Sequence, residues 1–291
     1  MKTKRKGVTN MRKHIYVIAL VILCSALSAF AETKPAAGGG DAATEMARKL
    51  NNPLANIHAV MTDNSINFNT GSDNGTSYAF QFQPVYAMDF PDAGFSFIPR
   101  AVIPIMGLEP GTDLPMVGDP VPAGKSVWGL GDIILQGFVA PHTDAKMKWG
   151  VGPQFSLATA SDSDLRGADW GAGIAGVVTG NITENLSFSG IAGNLWSYDG
   201  DFSLLTLQAI PVYMINAVPG MWVGYNAVIS YDWKAPSSDA WTVPVGLTVG
   251  RTFDMGGGNG LDINVGPYYN AARPTGAADW VLRFGISWIF P

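Results

Sequence analysis

Residues 280–290 read Trp-Val-Leu-Arg-Phe-Gly-Ile-Ser-Trp-Ile-Phe, the most regular pattern in the chain. Every even position is large and apolar, whereas the odd positions are small, polar or aliphatic with a single charge at Arg283. A period of two is the period of a β-strand. A soluble antiparallel strand would alternate in the same way, but a Trp at each end of an apolar face about ten residues long is typical of a strand that crosses a bilayer. The stretch therefore predicts a transmembrane β-strand.

The first 31 residues predict a secretory signal peptide. Six basic residues precede an apolar run at positions 15–27, and Ala29-Phe30-Ala31 has the small-x-small pattern of a cleavage site. The apolar run is shorter than the roughly 18 residues of a spanning helix, which disfavours a retained anchor. Leu23 stands where a lipoprotein signal prefers a small residue, which disfavours lipidation of Cys24, the only cysteine. We expect Cys24 to leave with the signal.

Composition narrows the class of protein. The chain has 18 Lys and Arg against 23 Asp and Glu, and the predicted signal carries six of the basic residues and no acidic one. The remainder therefore has 12 basic residues and a net charge of −11. An acidic secreted protein is not a nucleic-acid binder. No segment after residue 31 reads as a continuous apolar helix, and a membrane protein without helical spans must be a closed barrel, because every backbone polar group has to be paired within the protein.

The segment 32–63 differs from the rest and predicts a lead-in. Residues 34–40 form a Pro/Ala/Gly linker, and Asp41 is a candidate N-cap of a short helix that ends at Lys49 or Leu50. This lead-in would lie in the periplasm or inside a lumen. A partly disordered N-terminus is the alternative.

Residues 64–291 predict the barrel domain. Strand-length stretches separated by Gly, Asn, Asp and Pro occupy positions 65–69, 78–88, 95–105, 131–140, 148–157, 171–179, 186–197, 204–214, 221–233, 242–253, 262–269 and 279–290. Twelve is an even number, which suits an antiparallel up-and-down barrel. We predict an all-β fold, a transmembrane β-barrel of about twelve strands, with ten or fourteen as alternatives. Residues 109–128 form the longest loop, on the same side as residues 161–169.

Aromatic residues near strand ends predict an interfacial girdle. The candidates are Trp170, Trp196, Trp233, Trp241, Trp280, Trp288 and Phe290. A core Trp at the end of a sandwich strand would have a similar position.

The opposite faces of the strands predict a polar lumen. Arg283 should point inwards, because a charge on the lipid face at mid-membrane costs about 2–4 kcal/mol. Arg100 and Asp132 lie on neighbouring predicted strands and could pair. Such charges would either brace the barrel or form a constriction that selects solutes. The same passage could be lined by Gln81, Gln83, Gln136, Gln154 and Gln208.

Enzymatic and metal chemistry find little support. His58 and His142 have no neighbouring residues with the spacing of a catalytic triad or a zinc site. Residues 256–260 are rich in glycine, but no Lys and no helix follow, so a hairpin turn is favoured over a phosphate loop. The carboxylates at positions 162, 164 and 169 could bind calcium loosely, although an acidic surface loop is favoured. We predict neither a cofactor nor an enzyme.

The sequence also resembles a family of outer-membrane transporters related to the barrel proteins encoded with phenol meta-cleavage pathways. The likeness covers nearly all of residues 32–291 and rests on the order of short motifs: Asn52-Pro53-Leu54-Ala55-Asn56, Gln83-Pro84-Val85, Arg100-x-x-Ile103-Pro104, Gly129-Leu130-Gly131-Asp132, Trp149-Gly150-Val151-Gly152-Pro153, Leu195-Trp196-Ser197, Trp241-Thr242-Val243-Pro244 and Leu282-Arg283-Phe284. The resemblance implies a barrel with an uptake role and carries over no substrate. Outer-membrane barrels commonly finish on an aromatic residue that the assembly machinery reads. Here Pro291 follows Phe290, which would then be the signal residue.

These observations predict a barrel in the outer membrane of a Gram-negative bacterium that acts as a passive channel for small molecules. Hydrophobic or aromatic solutes are the class that the resemblance suggests. The expected partners are outer-membrane lipid, the barrel-assembly machinery and the solute, and we expect a monomer. One alternative is a structural or adhesive barrel with a filled lumen. The other is a secreted soluble β protein.

Overall fold

The computed structural model describes residues 39–291. The predicted signal peptide and most of the predicted linker lie outside the described residues. Side chains are described from Ala42 onwards.

The described chain forms one short helix followed by a single closed, antiparallel sheet of twelve strands. We number the helix α1 (Gly39–Leu50) and the strands β1 to β12. The strands are β1 (His58–Thr70), β2 (Gly75–Tyr86, continued by Met88–Phe90), β3 (Phe95–Leu108), β4 (Val127–Leu130 and Ile133–Pro141), β5 (Met147–Leu157), β6 (Gly171–Asn181), β7 (Leu186–Ser197), β8 (Ser203–Met214), β9 (Met221–Gly224 and Val228–Asp232), β10 (Trp241–Gly246 and Thr248–Gly256), β11 (Asn259–Ala272) and β12 (Trp280–Phe290).

Each strand pairs with the next along the chain, and β12 closes the barrel by pairing with β1 from Trp280↔Phe68 to Phe290↔His58. The predicted up-and-down barrel and its strand count are therefore confirmed. Closure leaves the sheet with no free edge, as hydrocarbon requires.

The first strand is longer than its sequence pattern suggested. It begins at His58 rather than at residue 65, so it takes in residues that the predicted boundary assigned to the lead-in. The sequence of residues 58–63 does not show the alternation of apolar and polar residues that is typical of a strand. Its lumen face carries an apolar residue, Met61, and a charged one, Asp63. Pairing with β2 and β12 on either side, not local hydrophobicity, holds this stretch extended.

Connections of very different length lie at the two ends of the barrel. At one end, which we call the loop end, lie residues 71–74, 109–126, 158–170, 198–202, 233–240 and 273–279. The other, the turn end, carries both barrel termini, His58 and Phe290, and tight connections such as 257–258. Gly257 and Gly258 both have positive φ, as the two central residues of a type I′ hairpin turn require. The glycine-rich stretch is thus a hairpin turn.

The outer surface is apolar and the inner surface is mostly polar or small. On β5, Trp149, Val151 and Phe155 are exposed on the outside, whereas Gly150 and Gln154 are buried on the inside. A continuous apolar outer surface is unfavourable in water and suits the hydrocarbon of a bilayer.

Aromatic side chains flank this apolar band. Five of the predicted girdle residues, all at least 42% exposed, lie at the loop end: Trp170, Trp196, Trp233, Trp241 and Trp280. Trp288 and Phe290 lie at the turn end, where Tyr86 and Phe90 join them. Trp222 differs from these residues, because it points into the lumen and is buried.

The helix α1 packs against the inner wall of the barrel at the turn end. Its Ala47 lies in a cluster with Ile210, Val212, Met214 and Trp222. The Thr44 hydroxyl accepts a hydrogen bond from Gly220 N, and Arg48 donates to the carbonyl of Glu184. The predicted helix is therefore present and lies inside the barrel, although it begins at Gly39 rather than after an Asp41 cap.

No helix within residues 39–291 is long and apolar enough to cross a membrane.

Candidate functional site

A cavity of about 420 Å³ occupies the middle of the lumen. Its wall mixes charged, amide and apolar side chains. Strands β1, β2, β3, β4, β5 and β12 supply charged and amide side chains together with apolar ones such as Ile98, Val102 and Phe138. Strand β7 and parts of β8 supply aliphatic ones such as Ile191, Leu195 and Leu204. A small molecule in this cavity would meet hydrogen-bonding groups and hydrocarbon close together.

Arg283 of β12 lines the cavity and forms an ion pair with Asp63 of β1. The two side chains are mostly buried, at 16% and 26% exposed. Arg283 also lies 6.0 Å from the centre of the Tyr268 ring. The sequence pattern placed Arg283 on the lumen face, but the partner Asp63 was missed because its segment did not read as a strand.

Arg100 of β3 faces the cavity from the neighbouring wall. Its guanidinium donates to the side chain of Gln83, and Gln83 in turn donates to Gln81 at 2.8 Å. Asp63 attracts the guanidinium across β2. The Nε of Arg100 is buried and has no hydrogen-bond partner among the described residues. Arg100 therefore retains a hydrogen-bond donor that its protein neighbours do not use.

The remaining predicted glutamines are divided between two places. Gln136 pairs in register with Arg100 and donates to Gln154 at 3.0 Å, so these side chains continue the polar band onto β5. Gln208 lies on β8 and donates to Asn226 at 2.8 Å. The structure thus brings Gln81, Gln83, Gln136 and Gln154 together around Arg100 and places Gln208 apart from them.

Asp132 lies outside this band. Among the ion pairs within residues 39–291, none joins Arg100 to Asp132, so the suggested pairing is wrong. The four atoms that donate to the Asp132 carboxylate, at 2.8 to 3.2 Å, are the backbone amides of Thr159, Ala160, Gly167 and Asp169. Adjacent strands do not place these side chains in register, because Arg100 lies opposite Gln136, four residues further along β4. Asp132 instead holds the loop 158–170.

Two segments narrow the cavity at its ends. At the loop end, the connection 109–126 folds inwards so that Leu114, Pro115 and Met116 line the cavity. The Met116 sulfur lies 3.2 Å from the Gln81 amide nitrogen. At the turn end, the last residue of α1, Leu50, and residues 51–53 line the wall. The sequence marked both segments by composition, but no local signal shows that they enter the lumen.

The fold resembles an outer membrane channel from Pseudomonas putida F1, with a TM-score of 0.56 at 11% identity over 89% of this chain and 100% of that one. The NanC porin has a TM-score of 0.47 at 10% identity, over 80% of this chain and 99% of that one. A FadL homologue from Pseudomonas aeruginosa has a TM-score of 0.43 at 11% identity, over 87% and 96%. No protein-family model matches the sequence, and no curated protein matches it.

Identities this low show the fold alone, and the first of these likenesses shows it over nearly the whole described chain. The closed ladder and the apolar outer surface with its flanking aromatics agree with that fold. The chain has the closed-barrel fold of a bacterial outer membrane channel.

A Ser–His–Asp contact lies at the turn end of this barrel. Nε2 of His142 lies 2.7 Å from Asp89 and 3.2 Å from the hydroxyl of Ser96. The hydroxyl also donates to Asp89 at 2.9 Å; Asp89 and His142 are exposed, and Ser96 is partly exposed. In a catalytic triad, the acid and the nucleophile contact opposite ring nitrogens of the histidine. Here both contact Nε2, so the histidine is not placed to transfer a proton between them.

Acidic side chains of the long loops are paired with cations from neighbouring loops. Lys125 lies 2.5 Å from Asp164 and 3.0 Å from Asp162, and these contacts raise the pKa of Lys125. Arg166 lies 3.6 Å from Asp169. Among the described residues, no cluster of His, Cys, Asp and Glu could hold a metal ion. The carboxylates that the sequence analysis considered for calcium are therefore in contact with the side chains of Lys125 and Arg166.

One loop carboxylate has a raised pKa. Burial in the loop 109–126, together with the negative charges of Asp232, Asp239 and Asp119, raises the pKa of Asp113 from 3.8 to about 6. Its backbone N–H also donates to Gly276 O, in the last connection at the loop end. Protonation of Asp113 would relieve the repulsion among these loops.

Proposed function

We propose that this barrel is a passive outer-membrane channel for the uptake of small molecules, with hydrophobic or aromatic compounds as the favoured class. The observation that carries the proposal is the mixed lining of the cavity, where Arg100 and the glutamines lie among apolar side chains such as Ile98 and Leu195. Its volume of about 420 Å³ lies within the roughly 300–1,000 Å³ of small-molecule sites. The resemblance to the phenol meta-pathway barrels stays a prediction and is the reason for choosing aromatic solutes.

The charges of the cavity support a preference for anions. Arg100, Arg283 and Asp63 are the charged residues in the described lining, which gives a net charge of +1. A charged constriction inside a low-dielectric wall acts strongly on the ions that pass it. The barrel as proposed is inserted by the assembly machinery and works as a monomer in outer-membrane lipid.

Single-channel recording in a planar bilayer tests the proposal. We expect discrete conductance steps that favour anions for the wild type and a shift towards cations for Arg100→Gln and Arg283→Gln. Lys125→Gln is the matched control, because it removes an equal charge from an exposed loop outside the cavity. An equal shift in the control would remove these arginines from the selectivity mechanism.

The same recording decides between the channel and a barrel with a filled lumen. The inward loop 109–126 and the packed helix α1 are the observations that favour the filled barrel. Heat-modifiability on gels shows whether the protein in the bilayer preparation is folded. If the folded, inserted protein passes no current, the channel proposal is overturned and the structural barrel takes its place.

A further inference from the structure

Arg100 is a cation of the cavity wall that lacks a carboxylate partner. Among the described residues, no carboxylate forms an ion pair with it, and its side chain donates to the neutral amide of Gln83. Its Nε is buried and donates to no acceptor there. A guanidinium has five N–H donors, so Arg100 keeps donors for a ligand. A cation inside a low-dielectric wall is unfavourable without a counter-ion, and a bound anion would supply one.

The one carboxylate of the described lining is already paired. Asp63 forms its ion pair with Arg283, and both side chains are mostly buried. Asp63 pairs in register with Gln81 of β2, whereas Arg100 pairs with Val85, four residues further along that strand. Asp63 therefore attracts Arg100 only from a distance. Since Asp63 and Arg283 neutralise each other, the free positive charge of the cavity lies at Arg100.

Apolar side chains flank Arg100 on both sides along the strands. Three successive inward positions of β3 pair with three of β4, and all six side chains line the cavity: Ile98 with Phe138, Arg100 with Gln136, and Val102 with Ile134. The guanidinium and the amide thus form a polar rung between two apolar rungs. Gln154 of β5 extends the polar rung, because its amide oxygen accepts from Gln136 at 3.0 Å. Its NH2 group has no acceptor among the described residues and is a second donor for a ligand.

The apolar rung on the turn-end side continues into a larger apolar cluster. Ile98 and Phe138 belong to this cluster, and Val85 of β2 and Ile191 of β7 pack against it. All four side chains line the cavity. A hydrocarbon chain or an aromatic ring placed here would exchange water for apolar contacts, which is favourable. The cavity therefore offers a cationic group and an apolar surface side by side.

A carboxylate on an apolar body matches both features. The planar guanidinium fits the two oxygens of a carboxylate. A small inorganic anion would lose its hydration beside the apolar rungs without gaining apolar contacts. A neutral apolar molecule would leave the donors of Arg100 unpaired. Because a single free cation faces the cavity, the match is to one carboxylate per ligand.

We propose that Arg100 and the apolar rungs beside it form a binding site for small monocarboxylates with an apolar body, such as benzoate. The carboxylate lies on Arg100, and the body lies against Ile98 and Phe138. The proposal rests on the proposed function, since the ligand has to reach the lumen. It narrows the solutes from hydrophobic or aromatic compounds in general to those that carry one negative charge.

Binding to the purified, folded barrel in a nonionic detergent tests the site. Fluorine NMR at neutral pH follows 4-fluorobenzoate, which is ionised there, by line broadening that excess benzoate removes. We expect saturable binding to the wild type and an affinity about tenfold or more weaker for the neutral 4-fluorobenzamide. Arg100→Gln should lose a similar factor, and Arg100→Lys, which keeps the charge without the planar fork, should lose less. Lys125→Gln is the matched control and should bind as the wild type does.

The outcomes separate this site from the channel. Equal affinities for the acid and the amide would overturn the site, and so would equal affinities of the wild type and of Arg100→Gln shown to be folded by heat-modifiability. Acetate that displaces 4-fluorobenzoate as well as benzoate does would overturn the role of the apolar rungs. The binding measurement needs no current. Conductance without binding would overturn the site and leave the channel standing, whereas binding without conductance would support the site and mean that the channel proposal has failed.

Discussion

Replacing Asp132 should release the loop 158–170 while leaving the barrel closed. The buried carboxylate accepts four backbone amides, two on each oxygen. A hydrogen bond to a charged group contributes about 1.5–3 kcal/mol, and we take the lower figure because water reaches part of this loop. Asp132→Ala then destabilises the closed loop by about 6 kcal/mol, and Asp132→Asn, which keeps one acceptor oxygen, by about 3 kcal/mol.

Hydrogen–deuterium exchange of the purified barrel in detergent measures this effect. Since each 1.4 kcal/mol is a factor of ten, about 3 kcal/mol predicts that Asp132→Asn speeds exchange in residues 158–170 by about a hundredfold. Asp132→Ala should remove protection there. Asp201→Asn, an exposed carboxylate in the next loop, is the control and should change nothing.

The Asp132→Ala substitution should also speed hydrogen exchange in the neighbouring loop 109–126. Gly118 N–H donates to the carbonyl of Arg166 at 2.9 Å, and Val117 packs against Leu165. Because Met116 of this loop narrows the cavity, we expect noisier and larger conductance steps from Asp132→Ala. Unchanged exchange at residues 158–170 in the Ala variant would refute the assignment of Asp132 as the anchor of the loop.

Three further expectations concern pH and packing. The folded loop binds a proton on Asp113 more tightly than the unfolded chain does, so the stability of loop 109–126 should fall as pH rises from about 4 to about 6 and stay level above that; hydrogen exchange should show this for the wild type and not for Asp113→Asn. Trp222→Phe removes the indole N–H that donates to the buried Asp262 at 2.9 Å, and should lower the free energy of unfolding in urea by about 1–3 kcal/mol. Ala47→Leu overfills the contact between α1 and the inner wall at a cost of about 1–3 kcal/mol and should raise protease sensitivity around residue 50, whereas a change at the exposed Glu45 to Gln should not.

The alternation of side chains along the chain is enough to predict the strands and their two faces. The alternation in residues 280–290 predicts which side chains of β12 face lipid, and it puts Arg283 on the other face. The same reasoning recovered twelve strands, since a period of two is a local property that any extended segment displays. The polar start of β1 escaped it, because Asp63 and its neighbours are held in a strand by their partners on both sides.

Which polar side chains contact one another could not be predicted in the same way. Arg100 contacts Gln83 and is attracted by the charge of Asp63, whereas Asp132 anchors a loop. The register between paired strands determines the neighbours of each side chain, and no local sequence pattern encodes that register. The entry of Met116 and of α1 into the lumen likewise depends on contacts between segments far apart in the chain. The alternation along one strand depends on adjacent residues alone. The side chains that meet in the lumen depend on the pairing of all twelve strands, because only the closed barrel brings them together.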